Sequence, residues 1–256
     1  MMTETRPDDQ PHEPEVVMSV EDGVATIVLN RPARKNALTG PLTDALAAAF
    51  REVAGRDDVG AVLFHGAGGG FCSGLDLKEY NADPPPDWLA TSRESLVDAH
   101  RAIFDCPMPV VGALERFAIN GGAAFALACD LLVAGRGAFL QVGEIRQGLQ
   151  APMNMAWLAV RYPAAVAEQL TLTGRRFDGQ DLHRLGIALD VVDDDEVLDR
   201  ARALAVEIAT FPRAPACAIK AANRALSGVG DSQTWFDRAL SMNPLPVGSA
   251  MRPRAV

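Results

Sequence analysis

The sequence is poor in cysteine, and its cysteines lack the paired spacing of metal ligands. Cys72, Cys106, Cys129 and Cys217 lie far apart, each in an apolar or glycine-rich neighbourhood. Metal-binding cysteines occur in closely spaced pairs, and disulfide frameworks are typical of small secreted chains. This distribution predicts no metal site and no disulfide framework. It favours free, mostly buried thiols in a reducing compartment.

Basic charge is also scarce, and the first residues lack an apolar segment. The 256 residues include 24 Lys and Arg against 33 Asp and Glu, which gives a formal net charge of -9. The averaged field of such a surface repels nucleic acid and anionic membranes. Residues 1–15 carry charge and proline, unlike a signal peptide or a membrane span. We expect no nucleic-acid partner, no membrane insertion, a cytoplasmic location and a disordered N-terminal tail at residues 1–15.

Strand and helix patterns alternate through the first two thirds of the sequence. Two β-branched runs at residues 16–20 and 24–29 flank a short turn with glycine, which predicts a β-hairpin. An alanine- and leucine-rich stretch with helical spacing of its apolar residues follows at residues 42–53. The same order recurs, with strands predicted at residues 61–65, 110–114 and 131–134 and helices at residues 92–104 and 123–129.

The last third of the sequence has an almost wholly helical pattern. Helices are predicted at residues 155–161, 164–172, 196–210, 215–226 and 232–240. Strands followed by helices favour an α/β core with a helical tail. We therefore expect a core at residues 16–195 and a C-terminal helical region at residues 196–256.

Two glycine-rich loops are the candidate functional segments. They lie at residues 65–76 and 118–124, and the second opens a predicted helix. Glycine lets backbone approach a ligand closely, and amide groups at a helix N-terminus point outward with the positive end of the helix dipole. Two such loops together predict a site for one oxyanion. Neither has the glycine spacing of a P-loop or of a dinucleotide-binding fingerprint.

The first loop also allows a different interpretation. Its segment Gly70-Phe71-Cys72-Ser73-Gly74 has the spacing of a nucleophile elbow, with a cysteine as the nucleophile. An elbow leaves its strand directly, whereas the five residues 66–70 intervene here. The partner base would have to be His100 or His183, each predicted on an exposed helical turn. A cysteine-nucleophile α/β hydrolase is therefore the distant alternative.

Motifs at four places along the chain carry a family resemblance. They are residues 30–32 with 36–38, residues 70–77, residues 121–130, and residues 172–174 with 188–192. In this order and spacing, from Val16 to Leu226, they resemble the crotonase superfamily of enoyl-CoA hydratases and isomerases. The resemblance implies an α/β spiral of strand-strand-helix units and a C-terminal helical region that mediates assembly into a trimer or a dimer of trimers. It also implies an acyl-CoA thioester substrate and no separate cofactor, since coenzyme A is part of the substrate.

The resemblance further implies roles for particular residues. The backbone N–H groups of Leu75 and Gly121 match the two donors that stabilise a negative thioester oxygen, and Glu144 matches the acid/base. Preset donors of this kind act without reorganisation as charge develops. The positions implied to bind substrate are Arg34, Lys35, Ala37, Ser73, Gly74, Asp76, Leu77, Lys78, Gly122 and Ala124. Asp76 and Asp130 also have the character of structural caps or loop anchors.

An anionic coenzyme A moiety would need local basic charge on this acidic chain. Arg31, Arg34, Lys35 and Lys78 lie near the motifs and form a candidate basic patch. The alternative interpretation is ordinary solvated charge.

The sequence departs from the hydratase pattern at Ala124, where standard hydratases carry the first of two glutamates. The second glutamate matches Glu144, so one carboxylate remains. A single carboxylate can remove a proton from one carbon and return it to another. This pattern favours isomerisation of 3-enoyl-CoA to 2-enoyl-CoA or another one-base reaction.

Two alternatives within the family stay open. One is an atypical 2-enoyl-CoA hydratase, with Glu115 as a candidate to position water; the other is a non-catalytic acyl-CoA-binding protein. Arg116 stands where the family usually has glycine, and residues 149–155 lack the family's common small-residue run. These departures predict an unusual acyl pocket.

Overall fold

Nine strands and ten helices make up residues 13–242, the part of the chain that the computed structural model describes. The strands are β1 (Val16–Glu21), β2 (Val24–Leu29), β3 (Ala61–Gly66), β4 (Val110–Leu114), β5 (Phe117–Ile119), β6 (Leu131–Gly135), β7 (Phe139–Gln141), β8 (Arg176–Asp178) and β9 (Asp190–Val192). The helices are α1 (Gly40–Ala54), α2 (Leu77–Tyr80), α3 (Ser92–Asp105), α4 (Gly121–Ala128), α5 (Pro152–Arg161), α6 (Ala164–Thr173), α7 (Gly179–Arg184), α8 (Val197–Ala209), α9 (Arg213–Leu226) and α10 (Ser232–Met242). Short 3-10 helices lie at Pro32–Arg34, Ala67–Gly69, Asp87–Thr91 and Glu144–Gln147.

Six strands form the main sheet, in the order β1-β2-β3-β4-β6-β9. The hairpin pair β1 and β2 is antiparallel, and all other neighbours in this sheet are parallel. Burial alternates along the edge strand β1, whereas β3 and β4 are buried at every residue. Parallel strands have this continuous apolar character because both faces of the sheet are covered.

Helices cover both faces of the main sheet. On one face, α8 packs its buried residues against those of β2, β3, β4 and β6, among them Leu63, Val111 and Val133. The other face joins a larger core that includes the buried sides of α1, α3, α4 and α5. The sheet therefore separates two apolar layers.

A smaller second layer runs beside the main sheet and carries the candidate loops. It contains the sheet β5-β7-β8, and single parallel bridges join Leu38 to Leu75 and Cys72 to Ala118. After each of β2, β3, β4 and β6, the chain therefore passes through an extended segment of the second layer and then enters a helix. This succession is the predicted α/β spiral of strand-strand-helix units, and the prediction is confirmed.

The longer predicted elements are present with ends shifted by a few residues. The prediction of an almost wholly helical last third was wrong, because β8 and β9 lie within it. Both strands have three residues, as do the unpredicted β5 and β7. A period of two cannot be recognised over so short a run.

Both predicted terminal regions extend beyond the described residues. The tail was predicted at residues 1–15, and residues 1–12 lie outside the described part. Glu15, however, is held: its carbonyl accepts from the Asn30 amide at 2.7 Å, and its carboxylate contacts Arg31 and Thr39 at 3.0 Å each. The predicted helical region at residues 196–256 contains α8 to α10, and residues 243–256 again lie outside. Over residues 13–242, every helix is too short or too polar to cross a membrane.

Candidate active site

The first glycine loop turns the amide of Leu75 away from the second layer. The bridge between Leu38 and Leu75 uses the Leu38 amide, which donates to Gly74 O at 2.8 Å, and the Leu38 carbonyl, which accepts from Asp76 N at 2.9 Å. In a parallel bridge of this register, the N–H of the residue opposite Leu38, which is Leu75, points away from the segment that carries Leu38. Within residues 13–242, the Leu75 N–H has no hydrogen-bond partner. It is therefore available to a ligand.

The second loop passes directly against the first. Gly74 has φ of +88°, and a Cβ placed on it would lie 2.9 Å from Ile119 O and 3.7 Å from Gly121 N. Only glycine combines this backbone conformation with so close an approach. The two loops therefore meet at Gly74 and Gly121, as the sequence predicts for a shared oxyanion site.

Asn120 holds the backbone in an unusual conformation just before α4. Its φ of 52° and ψ of -117° are sparsely populated by residues with a side chain. Two hydrogen bonds fix it: the Asn120 amide donates to Gln141 O at 2.8 Å, and the Asn120 Oδ1 accepts from Gly143 N at 2.9 Å. Gly121 follows as the first residue of α4, where amide groups have no acceptor within the helix.

These loops form one side of a cleft that also contains Glu144. Leu75, Gly121 and Glu144, which the sequence predicted as the catalytic set, all line it. The full lining comprises Ser73, Leu75, Leu77, Leu96, Asn120, Gly121, Glu144, Gln147, Leu149, Gln150, Ala151, Pro152, Met153 and Asn154. The cleft is mixed in character, with leucine and methionine beside several amide groups.

Glu144 is partly buried at the start of a 3-10 helix. Its Oε1 accepts from Asn154 Nδ2 at 3.0 Å, and its Oε2 is buried without a hydrogen-bond partner within residues 13–242. Burial raises the pKa of Glu144 to about 7, although its own backbone amide and Asn154 favour the ionised form. A carboxyl with this pKa exchanges protons in both directions near neutral pH, which suits a general acid/base.

Half of the predicted basic patch is neutralised. Arg34 contacts both carboxylate oxygens of Asp76, at 2.6 and 3.2 Å, and Arg31 contacts Asp76 and Glu79. Burial of Asp76 acts to raise its pKa, but hydrogen bonds from Arg34 and the Glu79 amide outweigh it and lower that pKa. Asp76 is thus a cap and anchor in this structure, as one of the two interpretations expected.

Only two members of the patch keep free charge. Lys35 and Lys78 are exposed, and neither forms an ion pair within the described part of the chain. They are the members of the patch that remain suited to a phosphate group.

Two predicted substrate-binding residues, Ser73 and Leu77, line the cleft. The other predicted positions lie outside its lining, and their substrate contacts stay predictions. The Ala37 carbonyl accepts from Arg31 at 2.6 Å, Gly122 packs tightly on Cys72, and Ala124 is fully buried. Glu115, predicted as a candidate to position water, lies between β4 and β5 and does not line the cleft either.

The cysteine-nucleophile alternative is contradicted by burial. The Cys72 thiol is fully buried, which raises its pKa to about 12. His100 was predicted on an exposed turn, but it is fully buried, stacks on Phe125 and accepts from Trp157 Nε1 at 3.0 Å. Burial lowers the pKa of His100 to about 3, so it is a neutral core residue. The prediction was wrong because its charged neighbours in sequence face solvent and the ring does not.

Asn154 is a polar residue of the cleft that the sequence interpretation missed. It is 1% exposed, and its Nδ2 lies 3.0 Å from both Asn120 O and Glu144 Oε1. The only signal in the sequence was its position in residues 149–155, where the family's small-residue run is lacking. A single asparagine near a helix start resembles an ordinary polar residue until the tertiary contacts are known.

Comparisons with known proteins bear on this cleft. Residues 19–245 match the family model described as enoyl-CoA hydratase/isomerase. The 1,2-epoxyphenylacetyl-CoA isomerase of Escherichia coli is 34% identical over 228 residues, covering 87% of each chain. A probable enoyl-CoA hydratase of Mycobacterium tuberculosis is 35% identical over 219 residues, 84% of this chain and 83% of that one.

Solved structures agree with this match. The crystal structure of an enoyl-CoA hydratase/isomerase from Xanthobacter autotrophicus has a TM-score of 0.78 at 29% identity, covering 90% of this chain and 86% of that chain. An enoyl-CoA hydratase from Mycobacterium avium subsp. paratuberculosis has a TM-score of 0.77 at 26% identity, covering 93% and 97%.

Proposed function

Since this chain belongs to the enoyl-CoA hydratase/isomerase family, we propose that it moves a double bond of an acyl-CoA thioester from the 3-position to the 2-position. One observation carries the proposal. Within the described residues, Glu144 is the only carboxylate that lines the cleft. Leu75 and Gly121 line the same cleft. The E. coli relative is itself named an isomerase.

The proposed reaction begins with the thioester carbonyl at the two amides. Glu144 Oε2 takes a proton from C2, and the electron pair of that bond delocalises onto the thioester oxygen. The resulting dienolate is stabilised by the Leu75 and Gly121 N–H groups; removing one donor of this kind costs about 100- to 1,000-fold in rate. Glu144 then returns the proton to C4, which leaves the double bond between C2 and C3. Proton and electron pair are both conserved, and no cofactor beyond the substrate's own coenzyme A takes part.

Coenzyme A would be held in part by the exposed Lys35 and Lys78, because their charges are free.

We further propose a trimer or dimer of trimers, supported by the exposed apolar side chains Leu172, Ile219 and Leu226 on α6 and α9. Apolar side chains of this size are commonly covered in an assembly. Light scattering tests this: a monomer at micromolar concentration would contradict it. The free cysteines favour a cytoplasmic location.

Turnover assays test the reaction. Purified protein with a 3-enoyl-CoA should give the conjugated 2-enoyl-CoA, seen as new ultraviolet absorption, and deuterium placed at C2 of the substrate should be found in part at C4 of the product. Rapid hydration of a 2-enoyl-CoA with no conversion of the 3-enoyl isomer would contradict the proposal. Calorimetric binding of both thioesters without any product would instead favour the non-catalytic alternative.

Hydration is the second candidate, and one observation favours it. Asn154 Oδ1 and Glu144 Oε2 are both buried acceptors without a donor within residues 13–242, and both residues line the cleft. A water molecule has two O–H groups, which two such acceptors would orient. Asn154 would then supply the second water contact that Ala124 lacks. The probable hydratase of M. tuberculosis among the relatives agrees with this candidate.

A further inference from the structure

Asn154 is buried between two parts of the cleft, the Asn120–Gly121 segment and Glu144. It is the third residue of α5, a helix that begins with Pro152 and packs between α4 and α10. Proline at the first helical position fixes where the helix begins. Trp235 of α10 donates to the carbonyl of Ala156 at 3.3 Å on the same helix. The backbone that carries Asn154 is therefore held on both sides.

The side-chain amide of Asn154 has its orientation fixed by its partners. Nδ2 lies 3.0 Å from Asn120 O and 3.0 Å from Glu144 Oε1. A carbonyl oxygen and an ionised carboxylate oxygen only accept, and the NH2 group has two donors. The opposite orientation of the amide would place three acceptors together. The side-chain amide of Asn154 therefore donates one hydrogen bond to Asn120 O and one to Glu144 Oε1.

The contact with Asn120 acts on the peptide unit of a proposed oxyanion donor. Asn120 C=O and Gly121 N–H belong to one planar trans peptide, so their directions are opposite and linked. Asn154 and the Ala124 amide both donate to this carbonyl, at 3.0 and 3.2 Å. Fixing the carbonyl fixes the direction of the N–H, and hydrogen bonds in such a chain polarise one another.

The contact with Glu144 acts on the proposed base. A donor 3.0 Å from Oε1 leaves Oε2 as the oxygen available for proton transfer. The Asn154 donor also lowers the pKa of Glu144 against the larger effect of burial. Without it, a larger share of Glu144 would be protonated at neutral pH and unable to accept a proton.

We infer that Asn154 is a positioning residue, which holds the Glu144 carboxylate and the Gly121 N–H in a fixed relation across the cleft. The inference rests on the proposed function for the identity of base and donor. It goes beyond the proposed function because it assigns the alignment of the Glu144 carboxylate and the Gly121 N–H to one side chain, Asn154 on α5. Asn120 adds a parallel link, since its Oδ1 accepts from the amide of Gly143, the neighbour of Glu144.

The test uses two readouts on the full chain. The first is kcat/KM for a 3-enoyl-CoA as a function of pH, which reports the Glu144 pKa. The second is the absorption of bound 4-dimethylaminocinnamoyl-CoA, a chromophore that shifts to longer wavelength when hydrogen bonds polarise its carbonyl. Asn154→Leu keeps the side-chain shape without polar groups. It should lower kcat/KM about 10- to 100-fold, the effect of losing a hydrogen bond to a charged group.

Both readouts should move together in Asn154→Leu. The acidic limb of the pH profile should shift to higher pH, and the red shift of the bound chromophore should shrink. Asn154→Ala, a second variant for the case that the leucine does not fold, should show the same directions. Gln180→Ala is the control, because it removes an exposed amide on α7 that lies outside the cleft lining. Its pH profile and red shift should match those of the unmodified protein.

The outcomes separate this inference from the proposed function. Unchanged pH profile and red shift in a folded Asn154 variant would overturn the positioning role, while isomerase turnover by the unmodified protein would stand. If the unmodified protein shifts the chromophore but does not isomerise 3-enoyl-CoA, the proposed reaction fails. The red shift of the Asn154 variant still decides whether Asn154 aligns the Gly121 amide.

Discussion

Two partly buried carboxylates of this protein, Asp130 and Glu144, have opposite environments. Asp130 is surrounded by cations: Lys220 Nζ lies 2.6 Å from Oδ2, and Arg161 and Arg224 approach Oδ1 at 3.2 and 3.7 Å. Burial acts to raise the pKa of Asp130, but Lys220 and the two arginines outweigh burial and lower it. Within residues 13–242 Glu144 forms no ion pair, and the hydrogen bonds from Asn154 and from its own backbone amide do not offset burial, which raises its pKa to about 7.

The difference shows how the same functional group serves two purposes. Asp130 also accepts from the Val110 amide at 2.8 Å, so it joins β4, α5 and α9 through contacts that favour its ionised form. Glu144 lacks such compensation, and with a pKa of about 7 it can both accept and donate a proton at neutral pH. A carboxylate with full compensation stabilises the fold, and one with little compensation is available for chemistry.

The largest expected effect is on Glu144. Glu144→Gln keeps the shape and removes the titrating group, so isomerase kcat/KM should fall about 100- to 10,000-fold, the usual contribution of a general acid/base. The thermal midpoint should not fall, since an uncompensated buried acid is removed. Enzyme assay and thermal unfolding measure the two. Unchanged turnover would show that Glu144 takes no part in the mechanism, and would contradict the functional contrast with Asp130.

Asp130→Asn should show the reverse pattern. Removing the carboxylate leaves the buried Lys220 and the partly buried Arg161 and Arg224 without their partner, and breaking such pairs costs about 3 kcal/mol or more. The denaturation midpoint should fall clearly, while kcat/KM per folded molecule stays near its original value. Asp193→Asn, which breaks an exposed ion pair with Arg136, is the matched control and should change stability by under about 1 kcal/mol. An undiminished midpoint in Asp130→Asn would contradict the anchoring role.

The pH dependence of stability should sharpen the contrast. The folded-state pKa of Glu144, about 7, lies above its ordinary 4.5, so the group destabilises the fold progressively as pH rises from about 4.5 to 7. The stability of Glu144→Gln relative to the unmodified protein should therefore increase over that window, by up to about 3 kcal/mol, and then level off. Asp130 has a lowered pKa, so its contribution is present above its ordinary 3.8 and is lost as pH falls below it. Denaturation midpoints at several pH values would measure both, and a flat difference for Glu144 would contradict the assignment.

Exposed cations should give the smallest effects. Lys35→Gln and Lys78→Gln should each raise KM for an acyl-CoA about 3- to 10-fold with little change in kcat, and salt should reduce the difference. Arg136→Gln, an exposed charge with its own partner, should leave KM unchanged. KM measured at low and high salt decides this. Equal KM values in both lysine variants and the unmodified protein would show that coenzyme A binds elsewhere.

The fold was predictable where elements are long. Strands of five or six residues such as β2, β3 and β4 are mostly apolar runs bounded by turn residues, and helices such as α1 and α3 have clear amphipathic spacing. The three-residue strands of the second layer give no such pattern, because hydrogen bonds to neighbours in space define them. Their positions follow from tertiary structure alone.

The candidate site was predictable in part. Leu75, Gly121 and Glu144 were reached through the family resemblance, and all three line the cleft. Asn154 was missed because its significance depends on two partners, 34 and 10 residues away in sequence. Arg34 stays a predicted substrate contact, but its pairing with Asp76, 42 residues on, could not be inferred from the sequence. Pairings across such separations cannot be read from local patterns.

The packing of α8 has a consequence for synthesis of the chain on the ribosome. Residues of β2, β3, β4 and β6 that form one face of the main sheet are covered by a helix spanning residues 197–209. Until that helix has left the exit tunnel, valine and leucine side chains of the nascent sheet remain open to water and to other chains. Incomplete chains that expose apolar sheet surface aggregate readily. A premature stop before residue 197 should therefore yield insoluble product, although every residue of the cleft would already have been translated.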